Sequence, residues 1–112
     1  MAVRLMGENH VGGLRAGVLK TNAPLLTNDV DFFPGKPVRW GLGYMLTPEP
    51  GPNGRSGGSV TWAGLFNSYY WLDPVKHVAG LIMTQVLPFA DKQVLALLGR
   101  FERELYAALG NS

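Results

Sequence analysis

Cysteine is absent from the 112 residues. That excludes a disulfide framework, a thiol nucleophile and a thiolate metal site, and it suits a reducing compartment, so a cytoplasmic location is expected. Charge is sparse as well. Only 16% of residues are charged, the formal net charge is +2, and the ten basic residues scatter from Arg4 to Arg103 without forming a run. A nucleic-acid footprint needs Lys and Arg gathered on one face, interleaved with aromatics for single strands, so no nucleic-acid partner is expected. No apolar run reaches membrane-spanning length, and Glu8, Asn9 and His10 interrupt the place where a signal core would lie, so no membrane partner is expected either. The two histidines, His10 and His77, sit beside turn residues rather than at ligand spacing. Both read as solvated surface, with no metal and no cofactor implied.

What the chain does have is apolar side chains, 46% of the residues, cut by fifteen glycines and eight prolines. A chain of this length holds one core but no separate catalytic lobe, so 1–112 is read as a single domain or fragment. Val3, Leu5, Met6 and Val11 lie near helical spacing before Gly12-Gly13, which predicts a short helix over 2–11. Residues 13–37 are irregular, a long connection that must lean on something. Val38, Trp40, Leu42 and Tyr44 then alternate with Arg39, Gly41 and Gly43, the period of a strand with one bulky face and one nearly bare face. The bare face permits close approach of another backbone. Residues 47–58 contain no core-forming side chain and read as an exposed loop.

Three further strands are predicted at 59–65, 68–72 and 78–86, joined by turns at Phe66-Asn67 and 73–77. Connections this short make neighbouring strands antiparallel. Asp91 is placed to cap a helix reaching about Leu109, with Val94, Leu98, Phe101, Leu105 and Leu109 on one stripe and Gly110 as its stop. Such a stripe must be buried, and one face of the meander is the surface for it. The fold class is therefore α+β, an antiparallel β-meander packed against a C-terminal helix.

Gly54-Arg55-Ser56-Gly57-Gly58 matches the nucleophile-elbow pattern G-x-S-x-G by letter. The elbow works because a strand enters a strained turn and a helix leaves it, whereas here a Pro-rich loop enters and a strand leaves. Ser56 is read as a loop residue. His77 with Asp73 mimics a base and its orienter only by adjacency, which aims neither at a nucleophile. Of the aromatic residues 40, 44, 62, 69, 70 and 71, strand alternation leaves about half for a ligand, with Tyr69 and Trp71 on one face and Tyr70 on the other.

Trp40-Gly41-Leu42-Gly43-Tyr44, Gly58-Ser59-Val60-Thr61-Trp62-Ala63-Gly64, Tyr69-Tyr70-Trp71-Leu72-Asp73-Pro74, Gly80-Leu81-Ile82-Met83-Thr84-Gln85 and Pro88-Phe89 occur in this order. Together they resemble the C-terminal part of serine hydrolases of the class C β-lactamase type, which include penicillin-binding proteins and carboxylesterases. The resemblance covers nearly the whole chain and implies a partial β-lactamase/transpeptidase-like fold. In that family a helix bears S-x-x-K, the nucleophilic serine and its activating lysine. A Y-x-N-type loop adds a tyrosine, and K-T-G, H-x-G or W-x-G lies on an edge strand facing the serine. Trp62-Ala63-Gly64 looks like the W-x-G form, which points to the esterase branch. The resemblance then implies that Trp62, Ala63 and Gly64 contact the substrate and that the Leu65 backbone N–H is one oxyanion-hole donor.

No serine among Ser56, Ser59, Ser68 and Ser112 has lysine three residues later, and no tyrosine has asparagine two residues later. A strand with an oxyanion donor alone does not run acyl transfer, because nucleophile and base must lie within hydrogen-bond reach. The resemblance thus implies the C-terminal piece of a serine hydrolase, with Met1 opening inside the longer pattern. Such a piece is inactive alone and uses an ester or lactam only when complemented. A second reading is a non-catalytic interaction module. In the full fold the strand resembling 78–86 pairs with a strand this chain lacks, which leaves an open edge for self-association or for a chain carrying the missing N-terminal half. Leu81 and Met83 would stand at that contact. A third reading is an unrelated α+β binding domain sharing only common strand patterns.

Overall fold

The computed structural model describes residues 1–110. Its elements are α1 (Ala2–Met6), β1 (Arg39–Trp40), β2 (Met45–Thr47), β3 (Ser59–Gly64), β4 (Ser68–Asp73), β5 (Val78–Ile82) and α2 (Lys92–Gly110). The five strands form one antiparallel sheet in the order β1-β2-β3-β4-β5, a meander in which every neighbour in sequence is a neighbour in space. Two turns set its register. Residues 65–67 join β3 to β4 with Asn67 at φ 65°, and residues 74–77 join β4 to β5 with His77 at φ 57°. Asparagine and histidine are among the residues that enter this left-handed region most readily. No helix among the described residues is long and apolar enough to cross a membrane.

The core lies between the sheet and α2. Strand alternation sends Tyr69 and Trp71 to that face, where they meet Val94 and Leu98. Trp71 is fully buried and fits only because Gly80 stands opposite it on β5, where an added Cβ would overlap the indole ring. Asp91 caps α2 as expected, its Oδ2 accepting the Val94 N–H at 3.0 Å. Tyr106 bolts the far end of the helix to the sheet. Its hydroxyl donates to Asp73 Oδ2 at 2.8 Å and accepts the Trp71 indole N–H at 2.9 Å. The long connection leans where the core is open. Leu19 bridges Val30, Thr27 bridges Phe89, and Phe32 meets Tyr69 and Phe89 edge to face.

Several local expectations are corrected. The first helix ends at Gly7 rather than running to 11, because glycine is a poor helix residue and Asn9 Oδ1 takes the Val11 amide, turning the chain away. The strand expected over 38–44 is instead a hairpin. Gly43 at φ 119° reverses the chain and the Gly41 N–H donates to Tyr44 O at 2.8 Å. Gly41 does admit a neighbouring backbone, since the end of α1 occupies the space its Cβ would need and Met6 O accepts the Leu42 N–H. β5 stops at Ile82, not 86, because Thr84 swings out to donate its hydroxyl to Phe66 O and Asn67 O.

Residues 47–58 are not simply an exposed loop. Thr47 belongs to β2, and Arg55 is buried in a two-point ion pair with Glu102, at 2.8 Å from Nε and 2.6 Å from Nη2. The α2 stripe shifts accordingly. Glu102 is buried among its residues, whereas Phe101 and Leu109 are 37% and 39% exposed.

Two outcomes follow for stability. Gly80→Ala should destabilise the chain by about 2–3 kcal/mol, the cost of forcing a methyl into a packed aromatic core, read as a lower urea midpoint. The Asp73 carboxyl loses hydration on burial, which raises its pKa. The Ser56 and Lys76 amides and the Tyr106 hydroxyl together outweigh that and hold it below the usual carboxylate value. A depressed folded-state pKa gives stability that is present above the unfolded value and lost as pH falls through the folded one. Urea unfolding between pH 6 and pH 2 should therefore show a loss below about pH 4 that Asp73→Asn lacks.

Candidate functional site

Trp62, Ala63 and Gly64 are the last three residues of β3, and Leu65 opens the turn beyond them. Their cross-strand partners on β4 are Tyr70, Tyr69 and Ser68. Ala63 therefore shares the α2 face with Tyr69, while Trp62 and Tyr70 lie on the other. The Trp62 ring meets Trp40 edge to face with centroids 4.7 Å apart, and Tyr70 meets Tyr44 at 6.5 Å. The hairpin that replaced the expected strand is thus what brings Trp40 and Tyr44 to β3 and β4. All four rings are half-buried, so each keeps part of its surface open.

Gly64 differs from the glycines that the fold requires. A Cβ there would meet only the Ser68 Cβ, at 4.0 Å, an ordinary contact, and its φ lies outside the left-handed region. Among the described residues nothing asks for a bare position at the end of β3. The adjacent Leu65 is 45% exposed, and no acceptor among the described residues takes up its backbone N–H. The turn carrying both is rigidly held. The Asn67 N–H donates to Gly64 O at 3.1 Å, and the buried Asn67 side chain donates to Val86 O and Pro88 O at 2.7 and 2.8 Å. Its Oδ1 accepts from the Tyr69 hydroxyl and the Asp91 N–H. Sequence reasoning found Asn67 only as a turn former. Its partners lie up to 24 residues away, so no local pattern discloses them.

The groups that would perform acyl transfer are a different matter. Ser59 Oγ is buried and donates to Ser56 O, and Ser68 Oγ exchanges hydrogen bonds with the Thr84 backbone. Ser56 lies in the turn before β3 with its N–H on Asp73, which matches its reading as a loop residue. Ser112 lies outside the described residues. None of the three described serines has a lysine or histidine as hydrogen-bond partner.

The phenols are no substitute for the missing base. Burial pushes Tyr69 up to about 12, and burial followed by the neighbouring Tyr44 raises Tyr70, so both stay protonated near neutral pH. Asp73 commits its carboxylate to the Ser56, Val75 and Lys76 amides and to Tyr106, which leaves it no orienting role toward the exposed His77. His10 is exposed, with its Nε2 2.8 Å from Leu5 O. Among the described residues no cluster of three His, Asp or Glu is placed to hold a metal ion. Gly64 and the Leu65 amide thus leave the end of β3 open, and no described serine has a base beside it.

Comparison with known proteins bears on the fold and the family. No curated protein matches the chain. Among solved structures, simvastatin synthase (LovD) from Aspergillus terreus is similar. Its LovD6 mutant aligns with a TM-score of 0.66 and 29% identity over 69% of this chain and 20% of that one. The LovD9 mutant gives 0.68 and 27% over 72% and 21%, and an unliganded form gives 0.62 and 31% over 65% and 19%. The chain thus spans about one fifth of the length of these structures. A family model described as Beta-lactamase matches residues 3–102. With that match over most of its length, and with the sheet and C-terminal helix in place, the chain belongs to the beta-lactamase family.

Proposed function

We propose that this chain is the C-terminal portion of a serine hydrolase of the beta-lactamase family, with an ester or lactam as substrate class and the esterase branch favoured by its W-x-G strand. The end of the W-x-G strand carries the reading: Gly64 is open there, and the Leu65 N–H beside it has no acceptor among the described residues. In the completed site the serine of an S-x-x-K segment attacks the substrate carbonyl and forms a serine ester, breaking the C–O bond of an ester to release its alcohol or the C–N bond of a lactam to leave a tethered amine, and the departing oxygen or nitrogen takes up the serine proton. Water then cleaves the acyl-enzyme. The Leu65 N–H donates to the oxygen as it becomes negative, an effect often worth about 3 kcal/mol when the donor is fixed beforehand. Trp62, with Trp40 behind it, forms the apolar wall beside that oxygen. The bound turn at Asn67 supports this role, because an oxyanion donor acts best when it need not reorganise.

A second reading is favoured by one observation. β5 pairs only with β4, and Leu81 and Met83 beside its free edge are 59% and 75% exposed. Unpaired, apolar strand edges recruit other strands. On this reading the chain self-associates, or docks on a chain carrying the missing half, through β5.

Both readings give clear outcomes. The chain alone should hydrolyse p-nitrophenyl butyrate no faster than buffer, and a fragment of a family member carrying S-x-x-K should raise the rate when mixed with it. Gly64→Ala should change the unfolding free energy by no more than about 0.5 kcal/mol, yet lower the rate of the mixture by about 10²-fold through misplacement of the substrate. Hydrolysis by the chain alone, or indifference of the mixture to Gly64→Ala, would count against the hydrolase reading. For the edge, light scattering at high concentration should show dimers or larger species that Leu81→Lys with Met83→Lys disperses. A sharp monomer at every concentration excludes self-association.

A further inference from the structure

The turn after β3 is pinned through its carbonyls. Gly64 O accepts the Asn67 N–H at 3.1 Å, Phe66 O accepts the Val86 N–H at 3.2 Å, and Thr84 shares its hydroxyl between Phe66 O and Asn67 O at 2.6 and 3.0 Å. Asn67 ends the turn in the left-handed region, as the last residue of a three-residue hairpin loop often does.

One of these bonds also aims a donor. The Gly64 carbonyl and the Leu65 N–H belong to the same planar peptide unit, and in a trans peptide the two bonds point opposite ways. Holding Gly64 O on the Asn67 N–H therefore turns the Leu65 N–H away from the turn. That N–H has no acceptor among the described residues, and its residue is 45% exposed. The Asn67 N–H is in turn held from behind. Its buried side chain donates to Val86 O and Pro88 O and accepts from the Tyr69 hydroxyl and the Asp91 N–H.

We propose that Asn67 is a positioning residue for acyl transfer, acting through the Gly64–Leu65 peptide to aim the Leu65 N–H at the oxygen that becomes negative. This role deepens the hydrolase reading and rests on it. Asn67 itself touches no reacting atom. Its amide suits the place because two donors and an accepting oxygen are needed at one point, which a carboxylate does not supply. A donor stabilises developing charge best when its direction is set before the reaction.

Two measurements test the role. In the 112-residue chain alone, NMR relaxation should give the Leu65 N–H an order parameter of about 0.85, that of rigid backbone, and Asn67→Asp should lower it below about 0.6. Aspartate keeps the size and the accepting oxygen but sets a carboxylate against Val86 O and Pro88 O. In the mixture with an S-x-x-K fragment, p-nitrophenyl butyrate is compared with its thiono analogue, in which sulfur replaces the carbonyl oxygen. Sulfur is larger and accepts hydrogen bonds more weakly, so a fixed N–H favours the oxygen ester. Asn67→Asp should cut the ratio of the two kcat/KM values by about tenfold. The folded fraction cancels in this ratio, so a merely structural role leaves it unchanged. Gly80→Ala, which weakens the core away from the turn, is the control and should keep the wild-type ratio. Should Asn67→Asp not fold, Tyr69→Phe decides: it removes a single bond to Asn67 and should lower the ratio by a smaller factor. A ratio held at the wild-type value in the variants, or a Leu65 N–H as ordered in them as in the wild type, overturns the positioning role while the hydrolase reading stands. A wild-type mixture without activity overturns that reading, and the role of Asn67 falls with it.

Discussion

The side chain of Asn67 is fully buried, and its hydrogen bonds join three segments of the chain. It sits in the turn between β3 and β4, holds the carbonyls of Val86 and Pro88, receives the Tyr69 hydroxyl, and receives the amide of Asp91 at the threshold of α2. A neutral amide suits the place. It offers two donors and an oxygen that accepts twice, whereas an aspartate could only accept and would face two carbonyl oxygens. The end of β3, the start of the helix and the 83–90 segment are therefore placed by one side chain. The candidate site inherits its shape from that constraint, since Gly64 and Leu65 form the first part of the same turn.

A second constraint works on the helix side of the sheet. Trp71 needs the space over Gly80, Tyr106 needs both the indole N–H and Asp73, and Arg55 needs Glu102. The last two fix the second half of α2 at Glu102 and Tyr106, so the helix cannot slide without breaking both. The glycines divide on the same grounds. Gly41 and Gly80 are small because other atoms of the chain occupy the space, whereas Gly64 is small with nothing of the chain beside it except Ser68. Each of the first two has a packing reason inside the chain. Gly64 has none among the described residues, which leaves the end of β3 open.

Much of this was legible in the sequence, and what was not has physical causes. The three central strands, their turns and the capped helix follow from signals that act over a few residues: alternation, Asn67 at a tight turn, Asp91 ahead of an apolar stripe. Trp62, Ala63 and Gly64 read from the sequence as the end of a strand, and they form the end of β3. The hairpin at Gly43 was hidden because Gly-x-Gly alternation imitates a strand with a bare face. Arg55 was hidden because its partner stands 47 residues away and polar letters in a Pro-Gly loop suggest water. Glu102 was hidden by the same distance, inside a stripe that otherwise reads as apolar. Long-range pairing of polar groups leaves no periodic trace.

The proposal that the chain supplies a receiving surface without its attacking group is the one most open to a direct check. Intact-protein mass spectrometry after incubation with an excess of an alkyl fluorophosphonate, a reagent that phosphonylates activated serines, would settle it. The prediction is an unchanged mass, because Ser59 is buried and neither Ser56 nor Ser68 has a base to activate it. One stoichiometric adduct, mapped to any serine of the chain, would contradict it.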